Sequence, residues 1–113
     1  MAAESAPAEE CNSVRVSGRL AAAPQQRTLP SGDELTTFRL VVRRPEPRGR
    51  GPAVDTLDCV TWRGDVRRTV GRWRAGDVVA VEGSLRRRFW RSAGGPASRT
   101  EIEVVRARRL ARA

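Results

Sequence analysis

Histidine is absent from this chain of 113 residues, and all 22 of its basic residues are arginine. Without imidazole, the commonest general base is excluded, and so is any metal site built on histidine. Only two cysteines are present, Cys11 and Cys59, 48 positions apart. Two thiols make neither a zinc site nor a disulfide framework, and the pattern predicts reduced thiols in a reducing cytoplasm, with Cys59 buried in an apolar strand. Long apolar runs are missing, which excludes a membrane-spanning helix. Residues 1–10 are small and acidic without a hydrophobic centre, which is not the pattern of a signal peptide. Phosphate-binding glycine loops, nucleophile–base pairs and metal-ligand clusters are also missing, so the chain is read as no enzyme, with no cofactor, no metal and no small-molecule substrate.

What the chain has in excess is positive charge. A formal net charge of +9 and an isoelectric point near 11.6 point to a polyanion as partner. Arginine forks phosphates with two donors and stacks on base planes, which suits nucleic acid. The length allows one small domain with one modest core.

Read in order, residues 1–11 form a disordered leader rich in Ala, Pro and Glu. Residues 12–22 alternate as a first strand, with Val14, Val16, Gly18 and Leu20 on one face and Arg15, Ser17 and Arg19 on the other. Gly18 on the apolar face predicts a bulge or sharp bend. A short strand piece is placed near residues 27–29. A second main strand spans 34–44, where Phe38, Leu40 and Val42 share the core face. Residues 45–53 make a Pro- and Gly-rich loop carrying Arg48 and Arg50. It reads equally as a solubilising tip or as a phosphate-gripping flap. The third strand, 54–62, turns Thr56, Asp58, Val60 and Trp62 away from Leu57 and Cys59. Residues 64–74 carry Val66, Val70 and Trp73 at helical spacing, a single apolar stripe that makes Trp73 a core plug.

The most informative stretch is 76–91. It opens on Gly76-Asp77, alternates Val79, Val81, Gly83 and Leu85 against Glu82, Ser84, Arg86, Arg88 and Trp90, and ends at Arg91. The second face joins guanidinium groups to an indole and has no reading as packing. It suits phosphates on arginine and a base on tryptophan. A flexible loop over 92–98 and a fifth strand over 99–107 follow, with Ile102 and Val104 inward and Glu101 and Glu103 outward as surface charge. Residues 108–113 are assigned to a basic tail and 12–107 to the folded domain.

Five strands with one short helix between the third and fourth is the element order of the OB-fold, an all-β five-stranded Greek-key barrel that binds oligonucleotides. The chain also resembles bacterial single-stranded DNA-binding proteins, in their short, Arg-rich form. The motifs that carry this are Asn12-Ser-Val-Arg-Val-Ser-Gly-Arg-Leu20, Thr37-Phe-Arg-Leu-Val-Val42, Asp58-Cys-Val-Thr-Trp62 and Gly76-Asp-Val-Val-Ala-Val-Glu-Gly-Ser-Leu-Arg-Arg-Arg-Phe-Trp90.

The resemblance implies single-stranded DNA as partner, a role in DNA replication, repair or recombination, a cytoplasmic and nucleoid-associated location, and a homo-oligomer, by resemblance a tetramer. It places base stacking on Trp62 and Trp90 and basic contacts at Arg86 and Arg88. Face and loop position add Arg15, Arg39, Arg43, Arg44, Arg48, Arg50 and Arg91 as phosphate contacts. The chain departs from the family at Thr56, where an aromatic is usual, at Arg43 and Arg44, near a third aromatic position, and at Asp58, an acid on the binding face. The family's acidic tail tip has no counterpart before Ala113, which implies an accessory form. Two other readings fit the same pattern: an RNA-binding or primosome-type OB-fold, and an OB-fold whose partner is a protein.

Overall fold

A computed structural model describes residues 8–46, 49, 51 and 53–113. Residues 1–7 of the expected leader and the predicted phosphate contacts Arg48 and Arg50 lie outside these residues. The elements are β1 (Val14–Leu20), β2 (Gln25–Thr28), β3 (Glu34–Arg43), β4 (Val54–Thr61), α1 (Gly64–Val70), β5 (Val78–Ser92) and β6 (Gly95–Ala111). Five long strands, the short β2 beside β3, and one helix after β4 make the expected OB-fold barrel.

The sheet order is β1-β5-β6-β4-β3-β2, and a further β1–β3 pairing closes the five long strands on themselves. β1 runs against β5 from Val14–Gly83 to Arg19–Val78, then turns to β3 at Arg19–Val41 and Leu20–Leu40. Gly18 stands at that transfer. A Cβ there would lie 2.7 Å from the Val41 carbonyl oxygen, so the glycine serves a close strand approach. The bulges fall elsewhere, in the β5–β6 ladder at Val78/Val79 and Glu82/Gly83. Asn12 extends the β1–β5 pairing with its side chain. Its amide accepts from the Leu85 N–H at 2.7 Å and donates to the Leu85 carbonyl at 2.8 Å.

The core gathers Leu20, Phe38, Leu40, Cys59, Val66, Val70, Trp73, Val79, Val81, Ile102 and Val104. This is the alternation of every long strand summed around a closed wall. Phe38 meets Trp73 edge to face, with centroids 5.6 Å apart and planes at 86°. The helix is a turn shorter than its pattern, because Gly71 ends it and the chain must bend for the Trp73 indole to reach Phe38. Asp65 stands in its first turn, where the Val66 N–H donates to it and holds its carboxyl below the usual range.

Three expectations change. The loop predicted over 92–98 is a tight turn, because β5 and β6 pair without a break from Gly83–Val104 to Ser92–Gly95. β6 runs on through Arg108 and Arg109 to Ala111, where a basic tail was expected, since β5 offers a partner backbone along that whole length. Glu101, expected on an exposed edge, is buried, because β6 lies between β5 and β4.

Asp77 secures the turn into β5. It is buried, and accepts from the Arg74 and Ala113 N–H groups, each at 2.9 Å, with Arg109 at 3.8 Å. These two backbone donors, Arg74 first, hold its carboxyl below the usual range. Burial, with the charges of Asp58 and Glu101 adding to it, pushes the Cys59 thiol up to about 12.

Three outcomes follow from this packing. A Cβ on Gly83 would overlap the Glu103 carbonyl oxygen, so Gly83→Ala is expected to cost about 1–3 kcal/mol of stability, read as a lower denaturant midpoint. The native protein should yield one fast-reacting thiol, the exposed Cys11, to a disulfide reagent at pH 8, and a second only on unfolding. Asp77 has a depressed folded pKa, so its contribution is present above the ordinary carboxylate pKa and lost as pH falls through the folded value. The melting temperature should therefore decline on acidification, and decline less steeply in Asp77→Asn.

Candidate nucleic-acid interface

Register decides which side chains share a surface. β4 meets β6 at Cys59–Ile102 and Val60–Glu103; β3 meets β4 at Thr37–Val60 and Arg39–Asp58. β5 meets β6 at Ser84–Glu103, Arg86–Glu101, Arg88–Arg99 and Trp90–Ala97. Side chains directly opposite one another point the same way. Arg39, Asp58, Val60, Glu103, Glu101, Arg86, Arg88, Arg99 and Trp90 therefore form one outer face across four strands. The predicted strand parity and the pairing agree on it. Val60 has outward parity yet is buried, flanked by Thr37 and Glu103.

β5 and β6 continue past the barrel wall as a two-stranded arm. Arg88 is 3.8 Å from Glu101 and Arg86 is 3.7 Å from Glu103. Farther out, Trp90 is 47% exposed, and the Arg99 guanidinium stands over its ring, 5.9 Å from the centroid. On the opposite side of the arm, Phe89 is 75% exposed, with the Arg87 guanidinium 5.6 Å from its centroid. Leaving such rings in water costs about 2 kcal/mol of forgone burial each. Neither Arg99 nor Phe89 was singled out from sequence. The signal for Phe89 was its place beside Trp90 in a strand too long for the barrel. Arg99 carried no local signal, because only the cross-strand register puts it over the indole.

Trp62, 40% exposed, follows the last residue of β4, and its carbonyl accepts from Arg67 at 3.4 Å. It does not share a site with Trp90. Ala97, opposite Trp90, stands five residues before Ile102, and Trp62 stands three after Cys59. The indoles are thus eight strand steps apart, about 26 Å along the strand direction.

The predicted basic residues divide by the company they keep. Arg39 is held by Asp58 at 3.0 Å, Arg44 by Asp55 at 2.7 Å and Arg15 by Glu82 at 3.3 Å. The Arg44 hydrogen bonds keep the Asp55 carboxyl below its usual range. Exposed pairs of this kind are worth about 0–1 kcal/mol. Arg43 and Arg91 are exposed and, among the described residues, have no carboxylate within 4 Å. Arg43 closes the β3–β4 hairpin and Arg91 the β5–β6 arm, both toward the same end of the barrel. Arg15 lies on the outer face of β1, which pairs with β5 on the side away from β6, and does not join this group. No described helix is long and apolar enough to cross a membrane.

Comparison with known proteins agrees with this geometry. The model of the single-strand binding protein family matches residues 11–110. Single-stranded DNA-binding protein A of Bacillus subtilis is 32% identical over 85 residues, covering 74% of this chain and 49% of that protein. Single-stranded DNA-binding protein 1 of Staphylococcus aureus is likewise 32% identical over 85 residues, covering 74% of this chain and 51% of that protein. The chain thus spans about half the length of the curated relatives it matches. A solved Plasmodium falciparum SSB in complex with ssDNA superposes with a TM-score of 0.73 over 93% of this chain and 99% of that one, at 23% identity, which establishes the shared fold. With the OB barrel closed, its aromatic arm in place and nearly the whole chain matched, this protein belongs to the single-strand binding protein family.

Proposed function

We propose that the protein binds single-stranded DNA with little regard to sequence, stacking bases on Trp90 and Trp62 and taking phosphates on Arg39, Arg43, Arg44, Arg86, Arg88 and Arg91. The observation that carries this reading is the Trp90 ring, half exposed on an arm outside the barrel and already framed by Arg99. A ring so placed offers one π-face to any base, and the charge of +9 supplies attraction along the backbone. Family membership and the names of the curated relatives support the same substrate. Phe89, on the reverse of the arm, is a further stacking surface in this reading.

The protein acts as a binder and not a catalyst. It serves DNA replication, repair or recombination in the cytoplasm, at the nucleoid, as a homo-oligomer. Its ion pairs set how it engages DNA. Phosphates displace Asp58 from Arg39 and Asp55 from Arg44, so part of the electrostatic gain is spent on exchange, and stacking carries the discrimination against duplex.

Tryptophan fluorescence tests this. Oligo-dT should quench strongly, and duplex of equal length weakly. Trp90→Ala should cost about 1–3 kcal/mol of affinity, and Trp62→Ala a similar amount. Because the two rings are so far apart, their losses should add on a long strand. Affinity should fall with salt at a log-log slope of roughly −0.7 per phosphate contacted. Equal, salt-labile binding to both forms, unchanged by either substitution, would reduce the protein to an unspecific polycation. An oligo-rU arm reads the preference between DNA and RNA.

A further inference from the structure

Three arginines share the outer face where β5 and β6 leave the wall, and two of them are ion-paired. Arg86 stands 3.7 Å from Glu103 and Arg88 3.8 Å from Glu101. Arg99 is different. It is exposed and, among the described residues, has no carboxylate within 4 Å, although Glu101 lies two residues away on its own strand. Its guanidinium rests over the Trp90 ring instead, 5.9 Å from the centroid.

Register explains the placement. Arg99 is directly opposite Arg88 in the β5–β6 ladder, between the pairs Arg86–Glu101 and Trp90–Ala97 on the same face. Like charges facing one another across a ladder repel, and long side chains reach their diagonal neighbours. The two guanidinium groups part along opposite diagonals, Arg88 toward Glu101 and Arg99 toward Trp90. The residue directly opposite the indole is Ala97, a single methyl group too small to hold a ring of that size. Trp90 remains 47% exposed beneath the cation, so one face of the ring is covered and the other is open.

An indole without a neighbour on a two-stranded arm moves among rotamers, and a stacking base has to arrest that motion at a cost in affinity. A planar guanidinium on one face arrests it beforehand. Resting on the stacking reading above, we infer that Arg99 is a positioning residue for Trp90: it holds the indole with one face presented to the base, and it acts by fixing the ring rather than by contacting a phosphate. The flat guanidinium is the group required, because a lysine ammonium keeps the charge and loses the planar stack.

The test measures dissociation constants for dye-labelled oligo-dT by anisotropy, a signal independent of the tryptophans, in the wild type, Arg99→Lys, Trp90→Ala and the double variant. Arg99→Lys is expected to weaken binding roughly two- to fivefold, the scale of one exposed cation–π contact, with the slope of log affinity on log salt unchanged. In the Trp90→Ala background the same substitution should cost nothing further, because the ring that Arg99 positions is gone. In the DNA-free protein, the part of the emission that Trp90→Ala removes should become more accessible to acrylamide in Arg99→Lys. Binding by Arg99→Lys as tight as the wild type, or a loss that persists in full without Trp90, would overturn the assignment and leave the stacking reading intact. So would a salt slope shallower by about 0.7 in Arg99→Gln, the mark of a lost phosphate contact. Wild-type affinity in Trp90→Ala would overturn the stacking reading and this inference with it.

Discussion

Closure of the barrel at β1 is the constraint on which the other features depend. A single strand serves two neighbours: β5 along most of its length and β3 at its last two residues. Backbone must pass backbone at Gly18, within a gap that no Cβ would fit, and the Leu20 side chain then drops into the centre of the core. With the ring closed, each strand has one dry face and one wet face, and the wet faces of β3, β4, β6 and β5 fall into a single continuous surface. Opening that seam would free β3 to shift relative to β5, and the outer face would cease to be one surface.

The second determinant is length. β5 has 15 residues and β6 has 17, against 7 to 10 for the other long strands. Their excess has no wall to join, so it leaves the barrel as an arm in which both faces meet solvent. Alternation, which in the barrel sorts apolar from polar, in the arm sorts Phe89 from Trp90. The bulge at Glu82/Gly83 falls where the ladder turns from wall toward arm, and Gly83 admits the Glu103 backbone there. The guanidinium partners of the two rings come from different strands: Arg87 from the same strand as Phe89, Arg99 from across the ladder to Trp90.

The charge distribution has a corresponding logic. Several arginines on the outer face rest against carboxylates at 3.0–3.8 Å, so the surface is less bare than a net charge of +9 implies. Such exposed pairs are individually weak, worth about 0–1 kcal/mol each. Glu101 differs from the other carboxylates of this face in its burial, with a side chain only 6% exposed.

Much of this was legible in the sequence. Alternation identified the dry faces of the long strands within the barrel wall, since burial of a period-2 pattern requires no knowledge of the partner strand, but it also put Leu85 inward, and Leu85 is exposed because β5 has left the wall there. The spacing of Val66, Val70 and Trp73 identified the helix, and the stretch ending at Trp90 identified the exposed face of arginine and tryptophan. What remained hidden depended on pairing between distant segments. Gly18 read as a bend and proved to be a crossing point, because β3 lies more than twenty residues away. The segment after Ser92 read as a flexible loop from its Gly, Ser and Pro content, but the extended β5 supplies a ladder that overrides local propensity. Glu101 read as surface charge, and its burial follows from β6 lying between β5 and β4. Alternation along one strand is a local property and is written in the chain. Which strand lies beside it, and at what register, is settled by the closed barrel as a whole, and that alone decided where Trp62, Trp90, Arg99 and Glu101 stand relative to one another.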